Sequence, residues 1–300
     1  MIVNDNPVTN GGTFIPIILR SDKMTVSVGT GQNDYWLVYI SIGNIHNNVQ
    51  WVRHGGVELL GFLAIPKGVF NSPLTRYWPL PCFLAAKKYT NDPQFRRFKK
   101  QLFHAALTRM LDSLRPGMTT PEILKCPDGH FRRIIFGIGP YIADYPEQVL
   151  VTGIVQDLCG RYEWFIAQEY LISCLCSCRC FSDPDDLDAG GPPRTLVLTE
   201  ALLDVFSPSD AWDEWGIDSN ISVSIKNSSI VHKDPQSAFF QPFTDNFPRA
   251  DIRQLIAPDI LHQLIKGTFK DHLVEWVSKY LELVYGKAGA AERLAEIDRR

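Results

Sequence analysis

The first 155 residues present a succession of segments that few architectures can use: three strand-like stretches, a helix, a fourth strand and a second helix. TFIPIILRSDKMTVS (13–27) reads as a strand around Phe14–Leu19 that ends at Ser21-Asp22. YWLVYISIGNI (35–45) is a second strand, rich in β-branched and aromatic residues. VELLGFLAI (57–65) is a third, closed by Pro66. Gly29, Gly31 and Asn33 lie between the first two, as a hairpin turn requires. Three strands joined in this way predict an antiparallel meander.

From Pro93 to Leu114 the period changes. Phe95, Phe98, Leu102, Ala106, Met110 and Leu114 recur every three or four positions, the spacing of one helical face. Asp92 is suited to cap that helix, with Pro93 in its first turn, and Arg115-Pro116-Gly117 stops it. Phe131–Ile142 then reads as a strand ending at Ala143-Asp144-Tyr145-Pro146, followed by a helix from about Pro146 to Val155. This is the opening order of an RNase H-like α/β fold, with an acid where the first and fourth strands end.

The rest is less regular. Residues 182–220 are loop-rich, with one short helix near Glu200–Phe206. A long amphipathic helix is expected from about Pro258 to Tyr285. Its predicted buried stripe is Leu261, Leu264, Ile265, Phe269, Leu273, Trp276, Tyr280 and Val284. The expected organisation is a core over 13–155, a cysteine-containing insertion over 156–245 and a helical segment over 246–300.

Composition narrows the class of partner. A net charge of −3 gives no overall basicity, so any nucleic acid must be met by local patches or by parts outside this chain. No apolar run approaches the roughly 20 residues of a membrane span, and Met1–Asn10 lacks the pattern of a secretory signal. Seven cysteines is an odd count, and Cys174, Cys176, Cys178 and Cys180 crowd together. Without a leader, thiols or a metal site are expected before a disulfide framework. The run Arg96-Arg97-Phe98-Lys99-Lys100 would suit phosphate contacts or nuclear import, and equally the solvated side of its helix. Gly29 and Gly31 form no phosphate loop, since no Gly-Lys-Ser/Thr follows, and His46, His54 and His104 show no metal-ligand spacing.

Phosphodiester cleavage and strand transfer use two divalent cations roughly 3.5–4 Å apart. Mg²⁺ and Mn²⁺ are held by carboxylates and water, so distant carboxylates must converge, and neighbouring strand tips bring them together. Asp22 and Asp144 are placed for that role if their strands pair. Each also suits a turn, bonding its own backbone.

PIILRSDKMTVSVGTGQNDYWLVYISIGNIHNNV, CPDGHFRRIIFGIGPYIADYPEQVL and PFTDNFPRADIRQLIAPDILHQLIKGTFKDHLVEWV strongly resemble the Plavaka transposases, fungal DNA transposases allied to the CACTA superfamily. The matching blocks cover most of 13–300. The resemblance implies that Asp22, in Ser-Asp-Lys, is the first catalytic acid. It implies that Asp144, in Asp-Tyr-Pro-Glu-Gln, is the second, matching an Asp-Phe-Pro pattern. Asp259 and His262, in Pro-Asp-Ile-Leu-His, match the family's Asp-x-x-His motif, which supports the active site or strand handling. Asp259 has also been taken as the second acid. The two lie three apart at a helix start and so share a side, where Asp259 equally suits the helix dipole. The third acid, a Glu in such enzymes, is expected beyond Arg300, since no motif selects among Glu275, Glu282, Glu292 and Glu296.

Three stretches interrupt the family pattern: roughly Val69–Ala86, Gly160–Ser177 and Ser222–Gln241. Our hypothesis is that they are retained introns, which would be refuted by finding their codons in mature message. The family carries a Cys-x-x-Cys near the middle stretch. Joining Cys159 to Cys178-Arg179-Cys180 would restore that spacing, with Cys159 and Cys180 as the Zn²⁺ pair and Cys126 and His130 completing the site. Small buried thiols are the alternative.

The resemblance implies a DDE-type cut-and-paste transposase working in the nucleus with Mg²⁺ or Mn²⁺. Its partners would be double-stranded transposon ends and target DNA, and a homodimer would form in the full-length protein. This chain is expected to be a fragment, inactive by itself. The alternatives are a decayed or domesticated remnant that binds DNA or protein, and an RNase H-like nuclease acting on RNA–DNA hybrids.

Overall fold

A computed structural model describes residues 7–27, 33–46, 55–66, 92–156, 158–161, 181–183, 186–190, 193–218 and 242–298. The three strands of the meander are β1 (Thr13–Ser27), β2 (Asn33–Ile42) and β3 (Val57–Phe62). They pair antiparallel in sequence order. The helix α1 (Pro93–Leu111) follows, with the Asp92 carboxylate accepting from the Gln94 amide at 2.9 Å, as the cap residue suggested. Next come β4 (Glu122–Lys125), β5 (Phe131–Ala143) and α2 (Tyr145–Thr152).

Two parts of the sheet were not anticipated. β4 forms a hairpin with the start of β5 through Cys126-Pro127-Asp128-Gly129-His130. Far along the chain, β8 (Ile256–Pro258) adds a short parallel strand to the end of β5. The sheet order is β3-β2-β1-β5-β4, with β8 also on β5, giving a six-stranded mixed sheet. β1 and β5 run parallel at its centre.

One face of this sheet makes the core. Ile17, Leu19 and Val38 meet Phe103, Leu107 and Leu111 of α1, together with Tyr141, Phe243, Ile252 and Ile256. The buried side of α1 is Phe95, Phe103, His104, Leu107 and Leu111. It is rotated from the expected stripe, leaving Phe98 exposed and Ala106, Met110 and Leu114 half-buried. His104 replaces an apolar residue at the centre. Its Nδ1 accepts from the Phe243 amide at 3.2 Å and its Nε2 donates to the Leu150 carbonyl at 3.1 Å, which fixes the tautomer. Burial pushes its pKa down to about 3, against the pull of the Leu150 carbonyl.

A second, smaller cluster joins α3 (Leu196–Val205) and α4 (Pro208–Asp213) through Leu202, Ala211 and Ile217. The strands β6 (Phe181–Asp183) and β7 (Asp186–Gly190) form a separate hairpin. A π-helical segment, Ile260–Val274, continues as α5 (Glu275–Asp298), which is broken at Gly286. The predicted long helix is therefore present, but its stripe is not buried: Leu261, Leu264, Ile265, Phe269, Leu273, Trp276, Tyr280 and Val284 are all exposed. Amphipathic spacing marks which side would be covered by a neighbour. It does not supply the neighbour. The interrupting stretches, apart from Gly160 and Arg161, lie outside the described residues, as do Gly29, Gly31, His54 and the crowded cysteines.

Candidate functional site: an acidic row at parallel strand tips

The site is built by register. β5 meets β1 with Ile17 opposite Ile138 and Leu19 opposite Tyr141, so Gly139 and Pro140 together face Ile18 alone. This bulge absorbs one residue of β5. A regular ladder would have set Leu19 against Pro140 and turned everything after it by one face. With the bulge, Tyr141 lies on the core side with Leu19, and Ile142 lies beside Arg20 on the opposite side. Gly139 is needed for this close approach: a Cβ there would stand 3.1 Å from the Ile17 carbonyl oxygen and from Pro16 Cβ.

Arg20–Ile142 is the last pair of that ladder. Two residues further come Asp22 and Asp144, the latter with an extended backbone (φ −69°, ψ 166°), and period-two alternation would set both on the Arg20–Ile142 side. Neighbouring strands run about 4.8 Å apart. The strand β8 continues the row, with Ile142 opposite Ala257, Ala143 opposite Pro258 and the Asp259 amide donating to the Ala143 carbonyl at 3.0 Å. Asp22, Asp144 and Asp259 thus come just after the last parallel pairs of three adjacent segments. The expectation that β1 ends at Asp22 is corrected: β1 runs on to Ser27, and Asp22 pairs with Leu37 of β2. What ends near Asp22 is its pairing with β5. The chain leaves β5 for α2, whereas the β1–β2 hairpin supports β1 further out.

The three acids differ in what they already hold. The Asp22 carboxylate has no hydrogen bond or ion pair among the described residues. One oxygen of Asp144 caps α2, accepting from the Glu147 amide at 3.1 Å, and Gly153 closes that helix in the left-handed region (φ 68°). Asp259 is the most committed. It accepts from the Leu261 amide at 3.0 Å, bonds His262 Nδ1 at 2.7 Å and faces the Arg20 guanidinium at 3.7 Å. Partial burial works against its ionisation, but His262, Leu261 and Arg20 together hold its carboxyl below the ordinary value. That Arg20 reaches Asp259 across β5 fixes these side chains on one face.

Beneath the row, on the core side, lies a carboxylate that the sequence reading passed over. Glu147 is 4% exposed, and burial pushes its pKa up to about 7 against donors from Ser21, Tyr141 and Trp36. Ser21 donates to Oε1, Tyr141 OH donates to Oε1 at 2.9 Å and Trp36 Nε1 donates to Oε2 at 3.2 Å. The Ser21 and Tyr141 hydroxyl oxygens also lie 2.6 Å apart, a contact that either hydroxyl can donate to only by giving up its bond to Glu147. Burial, then the neighbouring Glu147 charge, raises the Tyr141 phenol well above its usual range. The only sequence hint was a Glu three positions after a capping Asp, which ordinarily signals a solvated first turn.

Among the described residues, the members of the expected zinc set lie at two ends of β5. Cys126 and His130 face each other across the β4–β5 turn, where the Cys126 amide donates to the His130 carbonyl at 2.8 Å. Cys159 is buried next to Leu158, whose carbonyl accepts from Tyr145 OH at 3.0 Å, at the other end of β5. Cys180 lies outside the described residues. Among the described residues no group of three or more His, Cys, Asp and Glu side chains is arranged to hold a metal ion. Asp22 and Asp144 are both carboxylates. Two hard oxygen donors, one of them uncommitted, fit Mg²⁺ or Mn²⁺ better than Zn²⁺. In the basic run, Lys100 is committed to the buried Asp218 and Lys99 lies over the Phe95 ring.

A six-stranded mixed sheet with a long C-terminal helix defines a mixed α/β protein. The chain belongs to the Plavaka transposase family, whose model matches residues 1–165 and 166–277. It is accordingly a transposase chain, of a class that acts on DNA. Neither the curated proteins nor the solved structures yielded a match. Among the described residues no helix is long and apolar enough to cross a membrane.

Proposed function

We propose that this chain carries the catalytic face of a DDE-type cut-and-paste transposase on an RNase H-like core. The fold reading is supported by a central parallel pair flanked on one side by an antiparallel meander and on the other by a second parallel strand, β8. The catalytic reading is supported by one observation: the bulge-set parallel register, whose last pair, Arg20–Ile142, stands two residues before Asp22 and Asp144.

Asp22 and Asp144 would hold the divalent ions. When bound, such ions activate the attacking water or 3′-hydroxyl and stabilise the leaving oxygen. Asp259, already engaged by Leu261, His262 and Arg20, orients rather than ligates. With Nδ1 held by Asp259, the Nε2 of His262 is the ring nitrogen left for a substrate phosphate. Arg20, 47% exposed at its side chain, stands beside the row as a second phosphate contact. Double-stranded transposon ends and target DNA are the substrates, the nucleus is the compartment and a homodimer would hold two ends. Cys159 and Cys180 stay the proposed zinc pair.

The test is Mg²⁺-dependent nicking of transposon-end DNA by a spliced, full-length transposase and by its Asp22→Ala variant. Loss of at least about a hundredfold is expected, in line with removing a directly charge-stabilising group. Equal cleavage by both removes Asp22 from the mechanism. A remnant that binds DNA without cutting it is the second reading, favoured by the lack of a three-ligand group among the described residues. It predicts DNA retention with no nicking by either protein.

A further inference from the structure

Past the Arg20–Ile142 pair, the backbones of β1 and β5 share no further ladder bond. Yet the two proposed metal-binding aspartates both lie beyond that point. Something other than the sheet must set the distance between them.

The links across this gap are side chains, and they converge on one group. Ser21, the residue before Asp22, donates to Glu147 Oε1, and Tyr141 of β5 donates to the same oxygen. Trp36, on the β2 strand that backs this part of β1, donates to Oε2. The amide of Glu147 itself is the group that Asp144 caps. One buried residue is therefore bonded through its carboxylate to the neighbour of Asp22 and through its backbone to Asp144. Neither oxygen of Glu147 is turned to the working face, because Ser21 and Tyr141 lie on the core side.

We propose that Glu147 is a positioning residue that spans the end of the β1–β5 ladder and sets the spacing of Asp22 and Asp144 for divalent-ion binding, without touching the ion. The proposal rests on the catalytic reading above. Its logic is that of an outer-shell partner: such groups act on metal affinity through the orientation of the ligands, with typical losses of about 10–100-fold on removal. Glutamine can serve in part. Its carbonyl accepts from Trp36, and its NH₂ group donates to the Ser21 and Tyr141 hydroxyls, which can reverse their roles. Alanine severs every link.

The experiment uses the 300-residue chain and Mn²⁺ alone as the probe, with free Mn²⁺ read by electron paramagnetic resonance and folding by thermal melting. Glu147→Ala is expected to weaken Mn²⁺ binding about tenfold at temperatures where it is folded, and Glu147→Gln by less than about threefold. Ser21→Ala, a small change that cuts the same bridge, keeps the test open if Glu147→Ala fails to fold, and is expected to weaken binding at least about threefold. A purely structural Glu147 would lower the melting temperature and leave the affinity of the folded protein unchanged. If Asp22→Ala abolishes binding while Glu147→Ala, or in its place Ser21→Ala, binds Mn²⁺ like the unaltered chain, the positioning role is overturned and the catalytic reading stands. If Asp22→Ala and Asp144→Ala bind as the unaltered chain does, the catalytic reading falls and takes this proposal with it.

Discussion

Replacing Glu147 by glutamine should change how stability depends on pH more than it changes stability itself. The folded protein holds the Glu147 proton up to about 7, whereas an unfolded chain releases it near 4.5. A carboxyl raised in this way stabilises the fold fully below about 4.5, and that contribution is lost as pH rises through about 7. The displacement corresponds to about 3 kcal/mol, since each pH unit is worth about 1.4 kcal/mol. The group is almost wholly buried, so solvent screening removes little of this. Glutamine has the same shape and cannot ionise. The two proteins should therefore match near pH 4.5, and by about pH 8 the variant should gain about 3 kcal/mol on the parent. His104 titrates in both and cancels in the difference. Urea melts at several pH values would read the gap as a midpoint separation of roughly 1–3 M, given ordinary denaturant slopes. A gap that stays constant from pH 4.5 to 8 would falsify the view that Glu147 is buried against its charge.

Other outcomes follow from the same structure. His104 is held neutral, so it contributes stability above about 6.5 that is lost as pH falls toward about 3; His104→Gln should flatten that acid limb in the same melts, and an unchanged limb would show that another group drives it. Leu107→Ala, at a site with no exposed surface in the centre of the core, should cost about 2–5 kcal/mol by denaturant melt, and a loss under 1 kcal/mol would speak against this packing. Gly139→Ala places a Cβ 3.1 Å from backbone that cannot move aside and should destabilise by about 1–3 kcal/mol; neutrality would mean the bulge is not where it is described. Phe269→Ser, on the exposed stripe, should shift stability by less than about 0.5 kcal/mol, and a large loss would reveal a partner surface covering it.

Much of the architecture could be read from local pattern. Alternation and turn residues marked β1 to β3, the change of period marked α1, and Asp92, Pro93 and the Asp144–Tyr145–Pro146 run marked helix starts, because these signals act within a few residues. The residues Asp22 and Asp144 stood out beside the ends of predicted strands, whereas Asp259 and His262 were implied by the family resemblance of Pro-Asp-Ile-Leu-His. Two things could not. β8 is three residues long and carries no periodic signal, so only its pairing with β5 makes it a strand. The exposed stripe on the C-terminal helix shows the converse: periodicity was present and burial was not, since burial needs a second surface.

By itself, then, the order of residues determined which segments become strands and helices, and which acids stand near their ends. Only the tertiary structure decided that Gly139 and Pro140 bulge opposite Ile18, that Arg20 reaches Asp259 across β5, and that Glu147 is an interior anchor rather than a solvated first-turn acid. The physical reason is range. Propensity and capping are settled by neighbours in sequence, whereas register, burial and the bonds of a buried carboxylate depend on strands more than a hundred residues apart.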